Sequence, residues 1–111
     1  MERLVRGDVI VIDFPFSNLV QFKSRPVLII KVPKGGDVIV SQITGSSYEK
    51  SVEIKIENKD FNRGNLKRDS YLRLDKIFSI EKFLIKYKVG SLNPKKFKEI
   101  LERVISFLES N

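Results

Sequence analysis

Arg25 is followed by Pro26 at the mouth of the apolar run "PVLII". Proline disfavours the helical region for the residue before it, so Arg25 is driven toward an extended conformation and its guanidinium is presented at a strand entrance with little backbone freedom. Two further polar groups stand at comparable places. "SQITGSS", residues 41–47, reads as a strand ending in a hydroxyl-rich turn that carries Thr44, Ser46 and Ser47, and "LKRDSYLRLD", residues 66–75, sets Lys67, Arg68 and Asp69 beside Ser70. Upstream of Arg25, the loop "PFSNLVQFKS" mixes Phe16 and Phe22 with Asn18, Gln21 and Lys23. Aromatic rings stack on unpaired bases while amides and a lysine contact base edges and phosphates, the combination by which single-stranded RNA is held.

Each group also has a plainer reading. Arg25 could pair with a surface carboxylate at a strand edge, and Thr44 to Ser47 could be a turn closed by hydroxyl-to-backbone bonds. Asp69 would by default be a turn or salt-bridge residue, and Phe16 and Phe22 could be loop anchors tucked into the core. No single group decides between the readings.

Composition narrows the chemistry. With neither cysteine nor histidine, the chain can form no disulfide, thiolate nucleophile or zinc-thiolate site, and it lacks the commonest metal ligand and the commonest general base. Arg, Lys, Asp, Glu, Ser, Thr and Tyr remain. "PKGGD" and "NRGN" lack the spacing and the strand-to-helix context of a phosphate-binding glycine loop. No metal motif is present, so no cofactor and no metal are expected. The net charge is +7, and 13 basic against 8 acidic residues follow position 56. An excess of this size favours a polyanionic partner: nucleic acid, an anionic membrane or an acidic protein tail.

The elements that must position these residues can be read from the apolar pattern. At 111 residues, 41% hydrophobic and 32% charged, the chain is expected to form one globular domain, residues 1–111, burying roughly two thirds of its unfolded surface. No apolar run approaches the roughly 18 residues of a membrane span. The amino-terminal stretch has no uninterrupted apolar segment, since Asp8 and Asp13 break it, and no small-residue cleavage site; a cytoplasmic protein is expected. Short, β-branched-rich runs at 8–14, 26–32, 37–43, 51–56 and 70–77 predict strands, and 86–92 a last short one. "KGG" at 34–36 predicts a hairpin turn, and 58–65 a polar loop turning at Gly64 and Asn65. Asn93 and Pro94 predict a helix N-cap and first position. Phe97, Ile100, Leu101, Val104, Ile105 and Leu108 then form one apolar stripe over 94–108, predicting an amphipathic helix that covers the sheet. Lys95 and Lys96 carry the wrong sign for that helix's dipole. Strands not separated by helices predict a mainly β fold, a small curled barrel with a C-terminal helix.

"RGDVIVIDFPFSNL", "KSRPVLII", "VIVSQITGSS", "LKRDSYLRLDKIFSIE" and "VGSLNPKKFKEILERVISFL" follow one another from Gly7 to Leu108. Together they resemble the MazF/PemK family of toxins of type II toxin-antitoxin systems. "RP" at a strand start and "IT" followed by a small residue are the most specific parts, and "DFPF" with its short first loop is similar to the PemK-like branch. The resemblance implies an SH3-like β-barrel of the MazF/Kid/CcdB type with a C-terminal helix, assembled as a homodimer. It also implies a ribosome-independent, metal-independent endoribonuclease, an mRNA interferase that cuts single-stranded RNA at short sequences. The family's catalytic arginine falls on Arg25, its threonine on Thr44, and an acidic residue used by some members on Asp69. Other members use a histidine in the first loop or an arginine two residues before the acid. This chain has no histidine, and Lys67 stands at the second position.

Cleavage of RNA without a metal requires the 2′-hydroxyl to attack phosphorus, a base for its proton, stabilisation of the developing charge and an acid for the departing 5′-oxygen. Arg25 suits charge stabilisation, because its planar fork holds two phosphate oxygens and stays charged. Thr44 can donate a hydrogen bond to the same phosphate, and Asp69 is the carboxylate of the constellation, the candidate base or orienter. The expected products are a 2′,3′-cyclic phosphate and a 5′-hydroxyl. Candidate RNA contacts are Phe16, Asn18, Gln21, Phe22, Lys23, Ser46, Ser47, Lys67 and Ser70. The implied protein partner is an antitoxin whose acidic tail lies across the same basic groove. Two rival readings are a gyrase-targeting toxin of the CcdB type, for which "SFLESN" offers no exposed Trp wedge, and a non-catalytic nucleic-acid-binding barrel.

Overall fold

The computed structural model describes residues 3–14 and 23–111. Seven strands and one helix follow in chain order: β1 Asp8–Phe14, β2 Lys23–Lys31, β3 Val38–Thr44, β4 Glu53–Ile56, β5 Phe61–Gly64, β6 Ser70–Ile80, β7 Ile85–Leu92 and α1 Pro94–Glu109. They form one curled antiparallel sheet in the order β4-β6-β3-β2-β1-β7-β5, a half-barrel with the helix packed on it.

β1 and β2 contain near-continuous apolar runs because both faces of the sheet are covered there, whereas β6 starts with buried residues alternating with half-buried ones. Val9 and Leu28 belong to the cluster that packs with Phe97, Ile100 and Val104 of α1, whereas Ile10, Ile12, Val27 and Ile29 point to a second cluster with Val38, Val40, Ile80 and Ile85. Each fully buried Ile or Leu contributes roughly 1.5–3 kcal/mol relative to exposure.

The expected helix is present with its cap: Asn93 Oδ1 accepts from the Lys96 amide at 2.7 Å, and Pro94 opens the first turn. Its buried stripe is narrower than the periodicity suggested. Phe97, Ile100 and Val104 are buried and Leu101 half-buried, but Ile105 and Leu108 are 48% and 66% exposed. Lys96 is accommodated against the dipole by two carboxylates, Asp60 and Glu99, each 3.6 Å from its ammonium.

Several boundaries differ from the sequence-based expectation: β6 runs on to Ile80, and β4 starts only at Glu53, after a 3-10 turn at Lys50–Val52. The second strand begins at Lys23, so Arg25 is its third residue, opposite Ile12 of β1. Pairing with β1 extends the strand across the Pro26 position. Residues 58–65 are a short 3-10 turn, Asn58–Asp60, followed by β5, rather than a loop throughout. Asp60 folds back to accept the Glu57 amide at 2.8 Å, and its carbonyl accepts the Asn93 amide at 2.8 Å, which aligns β5 beside β7. The turn glycine does occur there: Gly64 has φ 71°.

Candidate functional site

The paired residues of β2 and β3 reach Val27 and Gln42, and two residues further along these strands stand Arg25 and Thr44. Thr44 pairs in turn with Tyr71 of β6, and Tyr71 with Lys55 of β4. Strand register therefore gathers Arg25, Thr44 and Tyr71 at one end of the sheet, although they come from three separate segments.

A groove of about 630 Å³ opens at this end. Its described lining combines apolar Val11, Pro26, Ile43, Leu66 and Val89 with Ser24, Gly45, Asn65 and Ser70 and with Arg25, Lys67, Arg68, Lys88 and Tyr87; Thr44 is not part of it. Four of the described lining residues are cationic and none is a carboxylate, so the groove suits a phosphate chain. The Lys88 ammonium also lies 3.3 Å from Asp8, a buried carboxylate that accepts from the Val5 amide and the Ser91 hydroxyl, each at 2.9 Å.

The glycine after Thr44 is what joins the second and third polar groups. Gly45 sits so close under the Arg68 guanidinium that a Cβ there would collide with it. The hydroxyl of Thr44 accepts the Ser46 amide at 3.3 Å and donates to the Ser46 carbonyl at 3.4 Å. This is the turn closed by a hydroxyl that its residue types also allowed. Both contacts are at the long end for hydrogen bonds and are readily exchanged for a better acceptor. Ser46 is exposed, and Ser47 is hydrogen-bonded to the Glu53 carboxylate. Ser70 is buried, its hydroxyl donating to the Arg68 carbonyl at 3.1 Å, so it braces the turn that carries Arg68. Asp69 faces the other way, with Lys55 3.4 Å from its carboxylate, and is not among the residues lining the groove. Phe16, Asn18, Gln21 and Phe22 lie outside the described residues, and Lys23 is described only as the first residue of β2.

One charged cluster escaped the sequence reading. Arg73 makes two 2.8 Å hydrogen bonds to Asp75, lies 4.6 Å over the Tyr48 ring, and is paired across the ladder with Glu53. Glu53 also accepts the Tyr48 amide at 3.0 Å. The cluster fastens the segment after Thr44 to β4 and β6. The Ser47 hydrogen bond, then that of Tyr48, holds the Glu53 carboxyl below its ordinary value against the opposing effect of burial; the Arg73 hydrogen bond does the same for Asp75. Lys55 is shifted up by its hydrogen bond to Asp69. The available signal was Arg73 and Asp75 two apart on one strand, which puts both on one face.

The curled sheet with its carboxy-terminal helix is the fold of known toxins. An endoribonuclease in complex with its cognate antitoxin from a mycobacterial species superposes with TM-score 0.74 at 18% identity, over 100% of this chain and 98% of that one. The Mycobacterium tuberculosis toxin MazF-mt6 gives 0.72 at 18% identity, over 94% and 98%. In sequence, the chain is 33% identical over 100 residues to the endoribonuclease MazF of Staphylococcus saprophyticus, covering 86% of this chain and 82% of that protein. Residues 5–108 match the family described as PemK-like, MazF-like toxin of type II toxin-antitoxin system, and the chain belongs to that family.

Proposed function

We propose that this toxin is a metal-independent endoribonuclease that cuts single-stranded RNA at short sequences, through attack of the 2′-hydroxyl on the adjacent phosphorus. The observation that carries this reading is the groove walled by Arg25, Lys67, Arg68 and Lys88 with no carboxylate among its described lining residues. Membership of the toxin family and 33% identity to a protein named endoribonuclease MazF support it.

Arg25 neutralises the charge that builds on the scissile phosphate. The Thr44 hydroxyl leaves its long contacts with Ser46 to donate to a phosphate oxygen. Asp69 is the base or orienter for the 2′-hydroxyl, which requires it to turn from Lys55 toward the RNA. Lys67 contacts the phosphate chain, and Ser46 and Ser47 contact the substrate from the segment after Thr44. The products are a 2′,3′-cyclic phosphate and a 5′-hydroxyl. The protein acts in the cytoplasm as a homodimer, and an antitoxin with an acidic tail competes for the same cations.

The test is a long, open RNA incubated with purified protein in excess EDTA and read by primer extension, beside Arg25→Ala protein. Discrete cuts by the wild type that vanish in the variant are expected. Equal cutting by folded Arg25→Ala protein overturns the role of Arg25, and RNA left intact but bound favours the non-catalytic barrel.

A further inference from the structure

Among the described residues that line the groove, Tyr87 is the one large aromatic side chain. Tyr87 is 57% exposed on β7 and lies across from Val11 of β1, which lies across from Pro26 of β2. Paired residues share a face of the sheet, so Pro26, Val11 and Tyr87 form one row on the groove side. The two flanking apolar residues supply a floor, and the ring stands at its end. β7 is held by pairing with β1 on one side and β5 on the other. A ring on such a strand has a fixed backbone and two side-chain torsions, so it can order a ligand at low entropic cost.

We propose that Tyr87 is a stacking platform for one unpaired base of the RNA substrate, and that it contributes to choice of the cleavage site. The proposal deepens the endoribonuclease reading and rests on it. The chemistry of the groove is what an unpaired nucleotide needs: an exposed π face, an apolar floor at its foot and cations for the flanking phosphates. Tyr48, the other strongly exposed tyrosine, differs because one face of its ring is taken by the Arg73 guanidinium and it does not line the groove.

The protein contains no tryptophan, so Tyr87→Trp introduces a single reporter at the site. Its fluorescence would be followed while a 2′-O-methyl RNA, which cannot cleave by internal attack, is titrated in, and again with an abasic ribose-phosphate chain of equal length. Anisotropy of labelled RNA would give affinities for wild type, Tyr87→Phe and Tyr87→Ala. Saturable quenching by the base-bearing RNA alone is expected. Tyr87→Ala should bind about tenfold more weakly or worse, and Tyr87→Phe within about twofold of wild type. Circular dichroism would establish that the variants are folded. Wild-type binding left unchanged by Tyr87→Ala, with an unresponsive tryptophan, overturns the stacking role and leaves the endoribonuclease reading standing. No binding of RNA by wild type overturns that reading, and the stacking role with it.

Discussion

Lys55 Nζ lies 3.4 Å from Asp69 Oδ2, tying the residue just before β6 to the edge strand β4. Both side chains are about half exposed, 49% and 54%, so the pair contributes about 0–1 kcal/mol to stability. Such a contact is cheap to open. If Asp69 turns inward to take the 2′-hydroxyl proton, Asp69→Asn should cut RNA about 10²–10⁴-fold more slowly. Its unfolding free energy should stay within about 0.5 kcal/mol of wild type, as for a surface change. Single-turnover cleavage beside a urea melt measures both, and wild-type cleavage by the variant removes Asp69 from the mechanism.

Stability should fall in acid through the cluster that fastens the segment after Thr44. The folded-state values of Glu53 and Asp75 are both lowered, from ordinary values of 4.5 and 3.8. A depressed carboxyl stabilises the fold fully above its unfolded value and loses that contribution as pH falls through the folded one. Melting temperature should therefore be steady down to about pH 5 and decline below pH 4.5. Glu53→Gln should be less stable than wild type at pH 7 and show a shallower acid decline. A decline of equal steepness in the variant would mean that Glu53 is not a source of it.

β1 and β2 were legible because burial on both faces writes itself as apolar runs, β6 because its apolar residues alternate, and the helix because Asn93 and Pro94 mark its start. β5 was not. Of its four residues Phe61, Asn62, Arg63 and Gly64, one is apolar, and the strand exists through its pairing with β7. The width of the helix stripe was overread for a related reason: periodicity places Ile105 and Leu108 on the apolar side, but only the neighbouring sheet determines how much of that side is covered. Within the site, the types of Arg25, Thr44 and Lys67 could be picked out, Arg25 because Pro26 follows it and the other two because they stand at a strand end and in a turn. Their placement depends on register, which brings Arg25 and Thr44 to the same end of the sheet from positions 19 residues apart in the chain. The direction of Asp69 toward Lys55, and the bracing of Arg68 by Ser70, are side-chain choices that local sequence does not encode.

The β5 to β7 contact should be intolerant of side chains. A Cβ at Gly90 would meet the Arg63 carbonyl, and one at Gly64, which also has φ 71°, would meet that of Val89. Backbone cannot swing aside as a side-chain tip can. Gly90→Ala should cost about 1–3 kcal/mol, the usual penalty of overpacking, and Gly64→Ala a comparable amount from backbone strain. Chemical denaturation gives the values; changes under about 0.5 kcal/mol would mean that the two strands separate easily.

Gly45 offers the opposite case, in which an added methyl should spare the fold and damage the site. The atoms it would displace belong to the end of the Arg68 side chain, which can rotate away from the groove at little cost. Gly45→Ala should therefore melt close to wild type while reproducing the RNA-binding defect of Arg68→Ala. For single strands the logarithm of affinity falls with the logarithm of salt at about 0.7 for each phosphate neutralised. Lys67→Ala and Arg68→Ala should each flatten that slope by about 0.7, and Gly45→Ala should flatten it by a similar amount. Combining Gly45→Ala with Arg68→Ala should add nothing further, because both changes remove the same contact. Combining it with Lys67→Ala should be additive. Anisotropy titrations of 2′-O-methyl RNA at several salt concentrations separate these outcomes. A full wild-type slope in Gly45→Ala would show that Arg68 reaches phosphate from a position that the glycine does not control.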